Sequence, residues 1–239
     1  MQISIVIPAY NEEATISQIL DLLLEKVKDL DEVLIIDDGS TDHTSQICQD
    51  YESSHSQVHY YPQPHNMGKT EALKERFRRS TGDIVIVQDA DLEYDPQEIN
   101  DVVAPIQEGK ADVVLGSRFL VRRASRSVYF RHYMANKLIT FLSNVLTDLN
   151  LTDVETCYKA FRGDIIRNMV ITSQRFGFEV EVVAKVAKLK CRVYEVPISY
   201  YGRSYEEGKK IGFKDGLMAL YYIFKYNIFT SKKASFKNE

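Results

Sequence analysis

Four short apolar runs set the terms on which this chain can fold. Ile3-Ser4-Ile5-Val6-Ile7, Val33-Leu34-Ile35-Ile36, Val58-His59-Tyr60-Tyr61 and Ile84-Val85-Ile86-Val87 are each too short for a helix and too apolar for a surface loop. Between them lie segments of helical period: Ile16, Ile19, Leu20, Leu23, Leu24 and Val27, then Ile47 and Cys48, then Ala72, Leu73 and Phe77. Pro96 suits the first position of a further helix carrying Ile99, Val102 and Val103. Strands that alternate with helices at this spacing build βαβ units, so the expected fold is α/β with a mostly parallel sheet flanked by helices. Ligands bind such sheets at the carboxyl edge of the strands.

Two of the runs end in acid at that edge. The second is followed by Asp37-Asp38-Gly39-Ser40-Thr41-Asp42, with Asp42 placed to cap the next helix. The fourth is followed by Gln88-Asp89-Ala90-Asp91-Leu92-Glu93, whose carboxylates alternate and can converge just past the strand end. Three hard oxygen ligands suit Mg²⁺ or Mn²⁺, an ion that usually completes its shell with water and substrate phosphate. A solvated acidic turn is the competing explanation. In the physical picture, Asp37 or Asp38 accepts hydrogen bonds from a base or ribose while Asp89 and Asp91 hold a divalent ion against a diphosphate.

At 239 residues and 44% hydrophobic content the chain can bury a substantial core. A net charge of only -4 gives no global case for nucleic acid. Cys48, Cys157 and Cys191 are too few and too irregularly spaced for a disulfide framework or a zinc site, and point to a reducing compartment. The first residues read as a strand without a basic leader, and no stretch supplies about 20 uninterrupted apolar residues. A cytoplasmic location follows, with peripheral contact on the inner face of the membrane.

Charge is nevertheless segregated. From Ser117 to Thr147 the chain has Arg118, Arg122, Arg123, Arg126, Arg131 and Lys137 and no Asp or Glu. Residues 130–146 within this stretch have helical period but are apolar on more than one face, as in a helix that lies on a membrane or under a neighbour. Residues 153–162 read as a mixed strand, 176–187 as a helix and 192–196 as the last strand. From Gly202 to Glu239 eight Lys or Arg face four acids, and residues 217–229 form an amphipathic aromatic helix with Lys225. That suits an anionic headgroup region; a helix packed back on the domain, with a solvated tail, fits equally. The organisation expected is 1–211 as one catalytic domain, with a nucleotide-sugar half at 1–116 and an acceptor half at 117–211, then 212–239 as amphipathic helix and basic tail.

Ile7-Pro8-Ala9-Tyr10-Asn11-Glu12, Ile36 to Asp42, Asn66-Met67-Gly68-Lys69, Gln88-Asp89-Ala90-Asp91 and Gly116-Ser117-Arg118 together resemble the inverting family 2 glycosyltransferases of GT-A fold. More narrowly they are similar to dolichyl-phosphate mannose synthases and bacterial polyprenyl-phosphate glycosyltransferases, over roughly residues 1–225. The resemblance implies Pro8, Ala9, Tyr10, Glu12, Asp37, Asp38, Asp89 and Ala90 around the nucleotide of a GDP- or UDP-hexose. It also implies Asp89 and Asp91 as the metal-bearing pair with Glu93 as a further ligand. Arg118, Arg131, Arg203 and Lys209 would receive the acceptor phosphate of a dolichyl or undecaprenyl lipid. Asp89, Asp91, Arg118 and Arg131 would be the catalytic set. Membrane contact, direct or through an anchoring partner, is implied with it. Where mannose synthases carry Ser-Gly-Phe, this chain has Glu155-Thr156-Cys157-Tyr158-Lys159.

A lipid phosphate is already an anion, so transfer to it needs positioning cations and no general base. Transfer to a sugar hydroxyl, as in capsule or lipopolysaccharide synthesis, would need a base, with Asp153, Glu155 and Glu179 as candidates. A catalytically silent nucleotide-sugar-binding scaffold is the alternative of another class, and the intact Asp89 and Asp91 count against it.

Overall fold

The computed structural model describes residues 1–120, 126–127, 129–175, 177–203, 206 and 212–237. Seven strands form one sheet: β1 (Ile3–Ala9), β2 (Leu30–Asp37), β3 (Val58–Pro62), β4 (Ile84–Val87), β5 (Val113–Ser117), β6 (Lys159–Arg162) and β7 (Val193–Pro197). Their order is β3-β2-β1-β4-β6-β5-β7. All pairings are parallel except those of β6, which runs antiparallel to both β4 and β5. β1, β4 and most of β2 are buried almost continuously because helices cover both faces, as the unbroken apolar runs require, while the edge strand β3 alternates.

The helices before β5 are α1 (Ile16–Lys26), α2 (Thr44–Ser54), α3 (Lys69–Arg79) and α4 (Ile99–Gln107). Those after it are α5 (Phe130–Thr147), α6 (Gly163–Asn168), α7 (Phe178–Leu189), α8 (Phe213–Ile228) and α9 (Lys232–Ser235). Pro96 does open a helical turn, with Asp95 accepting from the Gln97 amide at 3.0 Å. Asp42 caps α2 from one residue further out than a standard cap, accepting from the Thr44 amide at 3.0 Å.

Register places the site. Ala9 pairs with Asp37 across β1 and β2, and the Gln88 amide donates to the Val6 carbonyl at 3.0 Å across β1 and β4. The carboxyl ends of β2, β1 and β4 therefore open onto one edge. Strand order reverses at β1, and a crevice forms outside such a reversal.

Three expectations change in detail. The mixed strand over 153–162 contracts to β6, since residues 153–158 form a loop. Its anchor is Lys159, fully buried, whose ammonium donates to the carbonyls of Val154, at 3.0 Å, and Thr156. The basic tail does not simply trail in solvent: Ser235 and Phe236 are buried and Phe236 bridges to Met169. Residues 212–237 share the domain's core, because α8 buries Tyr222, Ile223 and Tyr226 beside α7. No helix among the described residues is long and apolar enough to cross a membrane.

Candidate functional site

The crevice is the mouth of an open cleft of about 1280 Å³ that runs from the sheet edge to α5 and α8. Pro8, Ala9, Tyr10, Glu12 and Asp38 line one end, Asp89, Ala90, Asp91 and Glu93 the middle, and Arg118, Arg126 and Arg131 the other end. The sequence motifs thus meet in one place.

At the first end, Asp38 accepts from the Met67 and Gly68 amides at 2.7 and 2.8 Å. Burial raises its pKa, and the two amides only partly offset that. Gly68 sits at φ +91° and Gly39 at +77°. A Cβ on Gly39 would meet the His65 backbone at 2.7 Å, so only glycine lets the two loops interlock. Asp37, also expected at the nucleotide, is engaged by its own scaffold. It lies outside the cleft lining and accepts from the Ser40 amide at 2.8 Å, the Tyr60 hydroxyl at 2.8 Å and the Ser45 hydroxyl. Ala90 is positioned through its carbonyl, which accepts from Thr15 Oγ1 at 2.7 Å.

In the middle, burial pushes the Asp91 carboxyl up to about 7, and the charges of Asp89 and Glu93 add to the shift. Carboxylates that repel one another in a buried site fit a divalent cation, which would relieve that repulsion. Glu93, expected as a further metal ligand, lines the cleft beside them and is also engaged by the segment that follows β7. One of its oxygens accepts from the Arg203 amide at 2.7 Å and the other from the Tyr200 hydroxyl at 2.9 Å. No group of three or more His, Cys, Asp or Glu side chains among the described residues forms a ready metal cage. Asp89 and Asp91 remain as the pair, suited to an ion that draws its other ligands from water and phosphate.

Lys69 is a site residue that sequence reasoning passed over. Its ammonium lies 2.9 Å from Asp89 Oδ1 and 2.9 Å from Glu179 Oε1. The available signal was a lysine at the first position of a helix, where the dipole disfavours a cation. Arg175 was also missed; it lines the cleft at φ +52°, its carbonyl accepting from Thr70 Oγ1 at 2.6 Å.

At the far end the arginines divide. Arg118 grips Asp153 with two parallel bonds, Nε at 2.6 Å and Nη2 at 2.8 Å, so its fork is turned to Asp153 rather than held open for a phosphate. Burial would raise the Asp153 pKa, but Arg118 and Asn136 hold it below the usual carboxylate value. Arg203 lies 2.9 Å from Glu12 Oε2 and 2.8 Å from the Asp91 carbonyl. Arg131 stands exposed on the cleft wall, with no carboxylate pairing among the described residues. Lys209, Arg122 and Arg123 lie outside the described residues. Glu155 lines the cleft floor, and burial with the neighbouring Glu179 charge pushes it up to about 7.

Comparison with known proteins agrees with this geometry. A bacterial relative from Proteus mirabilis, undecaprenyl-phosphate 4-deoxy-4-formamido-L-arabinose transferase, is 31% identical over 87% of this chain, which spans 62% of that relative's length. An undecaprenyl-phosphate mannosyltransferase from Micrococcus luteus is 28% identical over 89% of this chain and 88% of its own. Among solved structures, glucosyl-3-phosphoglycerate synthase from Mycobacterium tuberculosis, in complex with Mn²⁺, UDP and phosphoglyceric acid, superposes with a TM-score of 0.72. It is 19% identical, with 95% of this chain and 78% of that one covered, and so shares the fold. The family model for "Glycosyl transferase family 2" matches residues 4–170, from β1 to α6 and across every strand end that lines the cleft. The chain belongs to glycosyl transferase family 2.

Proposed function

We propose that this chain transfers a sugar from a GDP- or UDP-sugar to a polyprenyl phosphate, with inversion at the anomeric carbon. The observation that carries the reading is the polarity of one cleft: a half-buried carboxylate pair at the strand ends, and Arg118, Arg126 and an exposed Arg131 at the other end. The two bacterial relatives, both undecaprenyl-phosphate sugar transferases, support the acceptor.

In this reading an oxygen of the lipid phosphate attacks the anomeric carbon from the Arg131 side. The bond from that carbon to the diphosphate breaks, and a nucleoside diphosphate leaves on the Asp89 side. Arg131 aligns the attacking anion, which needs no deprotonation. Arg118, fixed by Asp153, adds a preorganised positive field on the same side, and Lys69 offsets negative charge beside the departing group. Asp89 and Asp91 would hold Mg²⁺ or Mn²⁺, which supplies charge compensation for the diphosphate when bound. Pro8, Ala9, Tyr10, Glu12, Asp38 and Ala90 form the nucleotide end.

The membrane contact this acceptor demands has a surface to match. Phe130, Met134, Leu138, Phe141 and Val145 of α5 are exposed, as are Leu217, Met218, Tyr221, Phe224 and Ile228 of α8. Arg126, Lys214 and Lys225 flank them, a combination suited to an anionic headgroup layer.

Transfer to a sugar hydroxyl is favoured by one observation only, the raised Glu155 carboxyl, since Asp153 is held by Arg118 and Glu179 by Lys69. The test is to incubate the protein and Mn²⁺ with labelled nucleotide sugars and a short polyprenyl phosphate. Label should enter the organic phase, and Asp91→Asn should lower that rate on the order of 100-fold or more. Label that moves only to a soluble saccharide would favour the hydroxyl acceptor instead.

A further inference from the structure

We infer that Glu155 and Glu179 form a subsite that reads the hydroxyl groups of the transferred sugar. The inference rests on the nucleotide-sugar reading above and adds the residues that select the sugar.

Two carboxylate oxygens in the cleft lining, Glu155 Oε1 and Glu179 Oε2, are buried and have no hydrogen-bond partner among the described residues. Glu179 is only 5% exposed, and its other oxygen is held by Lys69. A buried acceptor without a donor keeps its desolvation cost unrepaid, so an orphaned pair in one cleft calls for a ligand that supplies donors.

Position says which part of the ligand. Lys69 bonds both Glu179 and Asp89, which places Glu179 one side chain from the diphosphate end. Glu155 lines the same cleft as Glu179 and as Arg118, which holds Asp153, so it stands between the diphosphate end and the acceptor end. Only the group in transit occupies that interval.

Charge says what chemistry. The nearby cations are already engaged, Lys69 by Asp89 and Glu179, Arg118 by Asp153 and Lys159 by two backbone carbonyls, so none of them supplies the missing donors. A neutral donor fits, and sugar hydroxyls are neutral donors. The scaffold is stiff: the Lys159 ammonium ties the 153–157 loop through two carbonyls, and Glu179 belongs to the first turn of α7. A rigid acceptor pair discriminates strongly, because a sugar whose hydroxyl points elsewhere leaves the carboxylates unpaired.

The test is calorimetric titration, with Mn²⁺, of UDP, UDP-glucose, UDP-galactose, GDP, GDP-mannose and GDP-glucose into wild type, Glu155→Gln and Glu155→Asp. Wild type should bind one sugar nucleotide at least ~10-fold more tightly than its epimer, and both variants should compress that ratio towards one. Affinity for the free nucleoside diphosphate should stay unchanged in both variants. An unchanged epimer ratio in both variants would overturn the inference, as would a fall in lipid transfer with selectivity intact, which marks a base. Intact selectivity in wild type without any lipid transfer would sink only the acceptor assignment. Binding of no sugar nucleotide by the wild type would overturn both readings.

Discussion

Asp112 shows how a single carboxylate outside the cleft holds two distant segments together. It accepts from the Arg192 amide at 2.9 Å, Nε at 3.0 Å and Nη2 at 2.8 Å, and from Arg162 at 3.4 Å. Hydrogen bonding from Arg192 outweighs burial and lowers the Asp112 pKa from 3.8 to about 2. Because the folded value lies below the unfolded one, the stabilisation is present in full above pH 4 and is lost as pH falls towards 2. Arg192 is half-exposed, so screening limits the contribution to about 1–2 kcal/mol. Asp112→Asn should therefore unfold at lower urea concentration at pH 7, with the gap to wild type closing between pH 4 and 2; a gap independent of pH would refute the linkage. The residue scale is also where sequence reading was weakest. That Asp37 and Glu93 stand at strand ends was visible, but their partners were not. Tyr60 lies 23 positions from Asp37 and Tyr200 lies 107 from Glu93, so only the folded chain shows these carboxylates already occupied.

Among the elements, α5 departs most from ordinary amphipathic design. It buries Asn136, Thr140 and Ser143 and exposes Phe130, Met134, Leu138, Phe141 and Val145. The polar face has its reasons: Asn136 donates to Asp153 at 3.0 Å, and Thr140 accepts from the Val154 amide at 3.2 Å. The helix orients the loop that fixes Arg118. Periodicity made the helix itself legible, but not which face turns inward, because apolar residues inside is the default and here the loop's unsatisfied groups reverse it. Outward apolar side chains contribute little to folding, so Leu138→Glu and Phe141→Glu should each change stability by less than about 0.5 kcal/mol. Both should sharply reduce flotation with anionic vesicles, and flotation equal to wild type would remove α5 from the membrane-contacting surface.

Across the whole molecule, alternation of apolar runs and helical segments was enough to foresee a parallel sheet with a ligand edge, because both follow from chain connectivity. The antiparallel β6 and the loop before it were not foreseen, since a buried lysine organises them and a lysine in an apolar strand gives no local signal of its partners. The consequence is a cleft whose walls come from residues as far apart as Pro8 and Leu220. A ligand that spans it ties early strands to late helices and should stabilise the fold as a unit. Binding only to the folded state at 100 times Kd adds about 2.7 kcal/mol. For a chain of this size that corresponds to a rise of roughly 5–10 °C in Tm. Mn²⁺ with the matching nucleoside diphosphate should produce such a rise, and EDTA or Asp91→Asn should abolish most of it while leaving the unliganded Tm within a few degrees or higher, because the substitution removes a repelled carboxylate. A full shift that survives EDTA would show that the nucleotide binds without the metal, and would remove Asp89 and Asp91 from that role.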